Sequence, residues 1–112
     1  GKGIGMGCGV CLSGFPLGMR LGSSAFVKLN EDGTASVLSG IVDNGQGNES
    51  MMVQIAADEL GIRMDDVVLV NGDTELTPQD PGTYSMTATS VSANAVRLAA
   101  QDARQQILNI AS

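Results

Sequence analysis

Apolar and polar residues follow one another along this chain in three rhythms, and each rhythm predicts a different element. Between residues 1 and 14 glycine alternates with Ile4, Met6, Cys8 and Val10. That period of two predicts an extended strand whose bare face lies against another backbone or a ligand. Two β-prone runs, Ala25 to Asn30 and Thr34 to Ile41, flank Asn30-Glu31-Asp32-Gly33, where Asp-Gly supplies the positive φ that a tight hairpin needs. The period then lengthens. Val53, Ala56, Ala57 and Leu60 share one face of a predicted helix, with Asn48 as its N-cap, Glu49 favourable in the first turn and Gly61 as its stop. Val67 to Val70 is a continuous apolar run of the buried-strand type, followed by a polar, proline-containing connection from Asn71 to Gly82. Val96, Ala99, Ala100, Ala103, Ile107 and Ile110 form the apolar stripe of a second helix running to the end of the chain. The order β-β-β-α-β-α predicts an α+β fold, a small mixed sheet with two helices packed on one face, in a single domain spanning residues 1–112.

Composition narrows what such a domain does. With 112 residues, one modest core is expected, and only Phe15, Phe26 and Tyr84 are aromatic, so aliphatic side chains, Met and Ala must fill it. A net charge of −6 with scattered basic residues leaves no stripe to neutralise phosphates, which argues against nucleic-acid binding. No apolar run is long enough to span a membrane. The absence of His removes Ser-His and Cys-His nucleophile pairs, His-ligated zinc and a histidine base. Chemistry must come from carboxylates, amides, hydroxyls, backbone N–H groups or a cofactor. The chain begins with Gly1 and shows no signal-peptide pattern, so a cytoplasmic, excised or processed piece is expected.

Two glycine-bearing loops lead into the predicted helices, Gly45-Gln46-Gly47 and Gly82-Thr83-Tyr84-Ser85. Helix N-termini present free N–H groups and a positive dipole end, so each loop is a candidate anion or ligand site as well as plain turn punctuation. Gln46 adds an amide able to donate and accept, and Thr83 and Ser85 add hydroxyls. Neither the dinucleotide-binding nor the P-loop glycine pattern occurs. Cys8 and Cys11 form a C-x-x-C, but two thiols cannot complete a four-thiolate site, and small buried residues in a glycine-rich strand are the expected reading. Asp58-Glu59, Asp65-Asp66 and Asp73-Thr74-Glu75 read as solvated and turn residues, and Met51, Met52 and Met64 as core filling.

Taken in order, the motifs resemble a known family. The run Gly3 to Gly7, the stretch Ser39-Gly40-Ile41-Val42-Asp43-Asn44-Gly45-Gln46-Gly47, and Gln54 to Ile62 are followed by Gly72-Asp73-Thr74, Gly82-Thr83-Tyr84-Ser85 and Asn94-Ala95-Val96. Together they resemble the molybdenum-binding large subunit of the xanthine dehydrogenase and aldehyde oxidase family. The segment Gly5 to Gly14 is similar to the 4-hydroxybenzoyl-CoA reductase branch. The resemblance implies a segment of a longer subunit that helps hold a molybdenum cofactor, molybdopterin in its cytosine dinucleotide form. It further implies an oxidoreductase acting on aromatic, heterocyclic, aldehyde or CoA-thioester substrates, with iron–sulfur clusters and FAD on other domains or subunits. By the same resemblance Gly45, Gln46 and Gly47 are cofactor-contacting, and Thr83, Tyr84, Ser85, Met86 and Thr87 belong to the loop beside the cofactor and substrate channel. Met86 and Thr87 stand where many relatives carry Ser-Arg, and no position matches the family's catalytic glutamate, so the isolated piece is expected to be inactive.

Two other functions fit the same residues. One is a non-catalytic module binding a small phosphorylated ligand at the helix ends. The other is a structural or assembly segment whose apolar faces pack against the remaining domains of the subunit, and which self-associates when isolated.

Overall fold

The computed structural model describes residues 1–10 and 22–111. Strand β1 (Ala25–Leu29) turns back through a hairpin into β2 (Ala35–Ser39), which leads to helix α1 (Asn48–Leu60). A short 3₁₀ turn (Met64–Asp66) then delivers β3 (Val67–Asn71), and a π-helical turn (Ala88–Ser92) runs into helix α2 (Ala93–Ala111). The sheet order is β1-β2-β3, antiparallel on one side of β2 and parallel on the other, so the mixed α+β architecture is the one the periodicities predict.

The hairpin forms where expected and for the expected reason. Gly33 sits at φ 86°, its N–H donates to the Asn30 carbonyl, and the Asn30 N–H donates to the Thr34 carbonyl at 2.8 Å. This is a three-residue loop closed by a left-handed glycine. Asp32 reinforces it, accepting from the Thr34 N–H at 3.0 Å and its hydroxyl at 2.7 Å. Those bonds hold the Asp32 carboxyl below its ordinary range, the Thr34 hydroxyl contributing most. Gly61 ends α1 in the left-handed region with its N–H on the Ala57 carbonyl, as its placement predicts.

Central strand β2 alternates buried and half-buried residues, with Ala35, Val37 and Ser39 facing the helices. Over that face pack Met52, Ala56 and Ala57 from α1 and Ala93 and Val96 from α2, around Ile41. Small residues at these positions let helix and sheet approach closely, and Met52 fills the irregular space that remains. Gln101 Nε2 donates to Glu59 across the two helices at 3.0 Å. Neither of the described aromatic rings, Phe26 and Tyr84, belongs to this core.

Four expectations are corrected. Residues 1–10 form no strand and are fully exposed, while 11–14 lie outside the described residues. Glycine at every second position gives one face no side chains to pack, so period alone does not hold the segment in a ladder. Cys8 is accordingly exposed rather than buried, and Cys11 lies outside the described residues. Val67 to Val70 is a strand but not a buried one, because β3 is an edge and its outer face is uncovered; Val68 is 56% exposed. The apolar stripe of α2 is buried at Val96 and Ala100 and then runs out, with Ile110 86% exposed. Its 19 residues extend about 28 Å, whereas the five-residue strands of the sheet cover about 17 Å, so the last turns of α2 pass beyond the sheet.

Met52 is fully buried at the centre of this aliphatic core. Met52→Ala should lower the unfolding free energy by about 2–5 kcal/mol, read as a fall in the urea midpoint without a change in slope.

Candidate functional site

Because β2 and β3 run parallel, the connection leaving each strand emerges at the same, carboxyl end of the sheet. The first connection, residues 40–47, carries Gly45-Gln46-Gly47. The second, residues 72–87, carries Gly82 to Thr87. Two loops far apart in sequence are thereby delivered to one place, the end at which open sheets of α/β type commonly bind ligands.

Asp43 organises the first loop. One carboxylate oxygen accepts from the Gly45 N–H at 2.6 Å and the Gly47 N–H at 3.4 Å, the other from the Glu49 N–H at 3.3 Å. Gly45 and Gly47 sit at φ 104° and 82°, so the backbone can wrap around the carboxylate. The bond from Gly45 is the main reason that the Asp43 carboxyl lies below its ordinary range, with Glu49, Gly47 and Asn48 adding to it against partial desolvation. This corrects the expected cap: Gly47 occupies the N-cap position without a side-chain bond, and Asn48 instead turns inward, its Nδ2 donating to the Val42 carbonyl at 3.1 Å. Amides expected to be free for an anion are therefore already occupied by an internal one. Gln46 remains exposed. Its Oε1 accepts from the Asn44 N–H at 2.8 Å, while its Nε2 has no hydrogen-bond partner among the described residues.

Asp80 organises the second loop. Its Oδ1 accepts from the Gly82 N–H at 2.8 Å, and its Oδ2 from the hydroxyls of Ser23 and Ser92, at 2.5 and 2.6 Å. A Cβ on Gly40 would collide with the Pro78 carbonyl oxygen and lie 2.7 Å from Asp80 Cβ, so only glycine lets β2's exit pass beneath this turn. Beyond Gly82, Thr83 Oγ1 donates to the Val42 carbonyl at 2.8 Å. Ser85 and Met86 follow with φ 45° and 61°, two consecutive non-glycine residues in the left-handed region, a conformation that costs on the order of 1–3 kcal/mol each. Thr87 is buried. Its hydroxyl oxygen accepts from the Tyr84 N–H at 3.1 Å and lies within hydrogen-bond reach of the Gly82 and Tyr84 carbonyls. The second helix does not start directly from this loop, as expected, but through the π-helical turn Ala88–Ser92, a feature frequent at functional sites.

The two loops meet at one atom. The Val42 carbonyl accepts from Asn48 Nδ2 at the start of α1 and from Thr83 Oγ1 in the second loop. Beside this junction opens a cleft of about 430 Å³, lined by Gly40, Val42, Gly72, Thr74, Thr77 and Asp80 among others, though not by Gln46 or Tyr84. Tyr84 and Met86 are 39% and 53% exposed, so the strained part of the loop presents its side chains outward. Of the acidic clusters, Asp65 pairs with Arg63 on the surface and Asp73 closes its own turn on Glu75. Among the described residues no group of three or more His, Cys, Asp or Glu could hold a metal ion.

Sequence reasoning missed Asp43 and Asp80. The signal was present: Asp32, Asp43, Asp73 and Asp80 each accept from the N–H two residues on. An Asp two places before Gly marks both site loops.

Known proteins share this fold. Residues 1–112 match the family model of the molybdopterin cofactor-binding domain. The xanthine dehydrogenase molybdenum-binding subunit of Escherichia coli O157:H7 is 34% identical over 96% of this chain and 14% of its own length. A nicotinate dehydrogenase subunit of Pseudomonas putida is 38% identical over 78% of this chain and 7% of its own length. The solved structure of CO dehydrogenase from Oligotropha carboxidovorans superposes with a TM-score of 0.74 at 32% identity, covering 80% of this chain and 11% of that one. The fold is thus that of a cofactor-binding domain found within large oxidoreductase subunits. The chain belongs to the molybdopterin cofactor-binding domain family of xanthine dehydrogenase and CO dehydrogenase type, and it spans about a seventh or less of the length of these relatives.

Two measurements probe the loops. Asp43 has a depressed carboxyl pKa, so its contribution is present above the unfolded value of about 3.9 and is lost as pH falls through the lower folded value. Asp43→Asn should speed amide exchange at Gly45, Gly47 and Glu49 near neutral pH, and that contribution should be missing from the acid unfolding profile. Asp80→Ala leaves Ser23, Ser92 and the Gly82 N–H without their acceptor and should cost on the order of 2 kcal/mol or more in thermal or urea unfolding.

Proposed function

We propose that this chain is a segment of the molybdenum-binding large subunit of a molybdenum hydroxylase-type oxidoreductase. In this reading it supplies hydrogen-bonding contacts to molybdopterin and no general base. The observation that carries it is the exposed Nε2 of Gln46, without a partner among the described residues and held by the Asn44 bond on a loop that is pinned to the second loop through Val42. Gly45, Gln46 and Gly47 hold one side of the cofactor and Thr83, Tyr84, Ser85 and Met86 the other. Thr87 acts by fixing the Gly82 and Tyr84 backbone from inside. The donor set fits a ligand read through its amide-like edge: a neutral amide N–H and hydroxyls, beside a helix end already neutralised by Asp43. When bound, the cofactor supplies the redox chemistry.

The finer features follow the same reading. The cofactor carries a cytosine dinucleotide, and the substrate is aromatic, heterocyclic, an aldehyde or a CoA thioester. The Gly5 to Gly14 segment favours the 4-hydroxybenzoyl-CoA reductase branch. Iron–sulfur clusters and FAD reside on other domains or subunits, and the chain acts in the cytoplasm. The 112 residues by themselves turn nothing over. A module that binds phosphate at the start of α1 is disfavoured, because Asp43 already occupies those amides and would repel a second anion, and the cofactor's own phosphates are therefore met elsewhere than at that helix end. An assembly role accompanies cofactor binding. The outer sheet face sets Phe26 beside Leu38 and Leu38 beside Val70, and Leu98, Leu108 and Ile110 of α2 are exposed, surfaces suited to the remaining domains of the subunit.

The test is Gln46→Ala in the complete subunit, assayed for molybdenum and cytidine nucleotide content. Loss of one amide hydrogen bond should weaken cofactor binding by about 1–3 kcal/mol and lower both together. Unchanged loading removes the role given to Gln46.

A further inference from the structure

Burial along the second loop and α2 follows a spacing that a regular helix does not give. The buried residues of this stretch are Thr87 and Ala88, Ser92 and Ala93, then Val96 and Ala100. From Ser92 onward their spacing suits an α-helix. Between Thr87 and Ser92, and between Ala88 and Ala93, it is five. Positions five apart lie about 140° round an α-helix of about 3.6 residues per turn, whereas positions four apart lie about 40° round it. Both pairs face inward because the turn between them holds one residue more, with the Ala93 N–H donating to the Ala88 carbonyl five residues back.

Two hydroxyls hold that spare residue in the helix. Ser92 Oγ donates to Asp80 Oδ2 at 2.6 Å, which ties the phase of α2 to the start of the second loop and confines any slip to the residues between. Thr87 Oγ1 accepts from the Tyr84 N–H and lies 2.8 and 2.7 Å from the Gly82 and Tyr84 carbonyl oxygens, which holds the reversal tight. Against Thr87 stands the left-handed backbone of Ser85 and Met86, which disfavours that reversal. No charged residue occurs between Asp80 and Arg97, so no ion pair pins the phase of residues 81–96. Thr87, Ala88 and Thr89 are all small, so moving each by one place along the inward face asks little of the core. Thr89, now on the outer side, is held there by a weak bond to the Met51 sulfur at 3.8 Å.

We propose that the π-helical turn Ala88–Ser92 is a one-residue register switch for the Tyr84 to Met86 tip. In the structure the spare residue sits in the helix, and the tip is short, left-handed and outward. In the other register the turn regains α geometry while Ser92 keeps its bond to Asp80. Ala88 and Thr89 then take the inward places of Thr87 and Ala88, and Thr87 passes into the tip. The tip gains a residue, so Ser85 and Met86 leave the left-handed region. One such step moves the residues before the turn by about 1.5 Å and rotates them by about 100°, which re-aims Tyr84 and Met86 as a unit. A partner that grips them in the tight register holds the turn in π geometry, and its affinity falls with the share of molecules in the other register. The proposed function supplies the identity of that partner; the movement does not depend on it.

The experiment is amide exchange on the complete subunit, followed in residues 83–89 with residues 96–104 of α2 as the control. Residue 87 reports directly, because its N–H donates to the Tyr84 carbonyl, a bond that the other register breaks. Thr87→Val removes the hydroxyl that holds the tight reversal and should speed exchange in residues 83–89 by about fivefold or more. Met86→Gly removes a left-handed cost and should slow it by a similar factor. Deletion of Ser90, which is exposed, leaves Thr87 and Ser92 four places apart, so a plain α-turn points both inward and exchange should slow again. Residues 96–104 should be unchanged throughout. Exchange that ignores either substitution, or that the deletion hastens, overturns the proposal. A deletion that loosens residues 96–104 overturns it too, because the fifth residue is then not spare. Comparing the subunit free of molybdenum with the loaded subunit keeps the cofactor reading apart: exchange that answers to the variants but not to loading leaves the switch standing and removes the tip from the cofactor.

Discussion

Both candidate loops depend on a single acceptor, the carbonyl oxygen of Val42. It stands just beyond the end of β2 and accepts one hydrogen bond from the first turn of α1 and another from Thr83 in the loop before α2. A carbonyl has two lone pairs, and here both are committed, so separating the loops breaks a hydrogen bond at their junction. The parallel pairing of β2 and β3 brings the loops to the same end, and the Val42 carbonyl then sets how far apart they sit. Everything read as functional, from Gln46 to Met86, is placed relative to that atom.

Aspartate is the second recurring device, and it changes what the acidic composition means. In a chain of net charge −6, four aspartates are used to bend backbone, each accepting from the N–H two residues ahead. At the start of α1 this has a functional consequence. A helix N-terminus ordinarily attracts an anionic ligand, but Asp43 lies in that position and its carboxylate is stabilised by the same amides. What is left for an external partner is a directional amide donor from Gln46 and the outward-facing side chains of the second loop. Under the proposed function the first loop therefore contributes hydrogen-bonding shape and not positive charge.

Elements whose causes are local were legible in the sequence. The Asp32-Gly33 hairpin, the Gly61 stop and the helical face of Ala56 and Ala57 are set by residues within a few positions of one another. Features set by tertiary context were not. Nothing in Val67 to Val70 says that β3 is an edge, because that depends on the sheet having only three strands with helices over one face. Nothing near Ile110 says that α2 is longer than the sheet it covers. Asn48 is a good N-cap by type, yet Asp43, five residues upstream, reaches the same amides once the glycines let the loop curl back, and frees Asn48 to bind Val42. Both loops carry an Asp two places before a Gly, but nothing local says that the two meet, and their pairing was legible only through the family resemblance.

The strain at Ser85 and Met86 follows from these same constraints. Asp80 and Gly40 fix where the second loop begins, Thr83 is tied to Val42, and Thr87 must be buried to hold Gly82 and Tyr84. Between Thr83 and Thr87 the chain has three residues in which to reverse and enter a helix. It does so by taking two of them left-handed and by widening the first helical turn to π geometry. Glycine at either position would relieve the strain but would remove an outward-facing side chain. A sequence that keeps Ser and Met there trades local stability for the presentation of side chains at the loop's tip. That trade is intelligible where the tip contacts something.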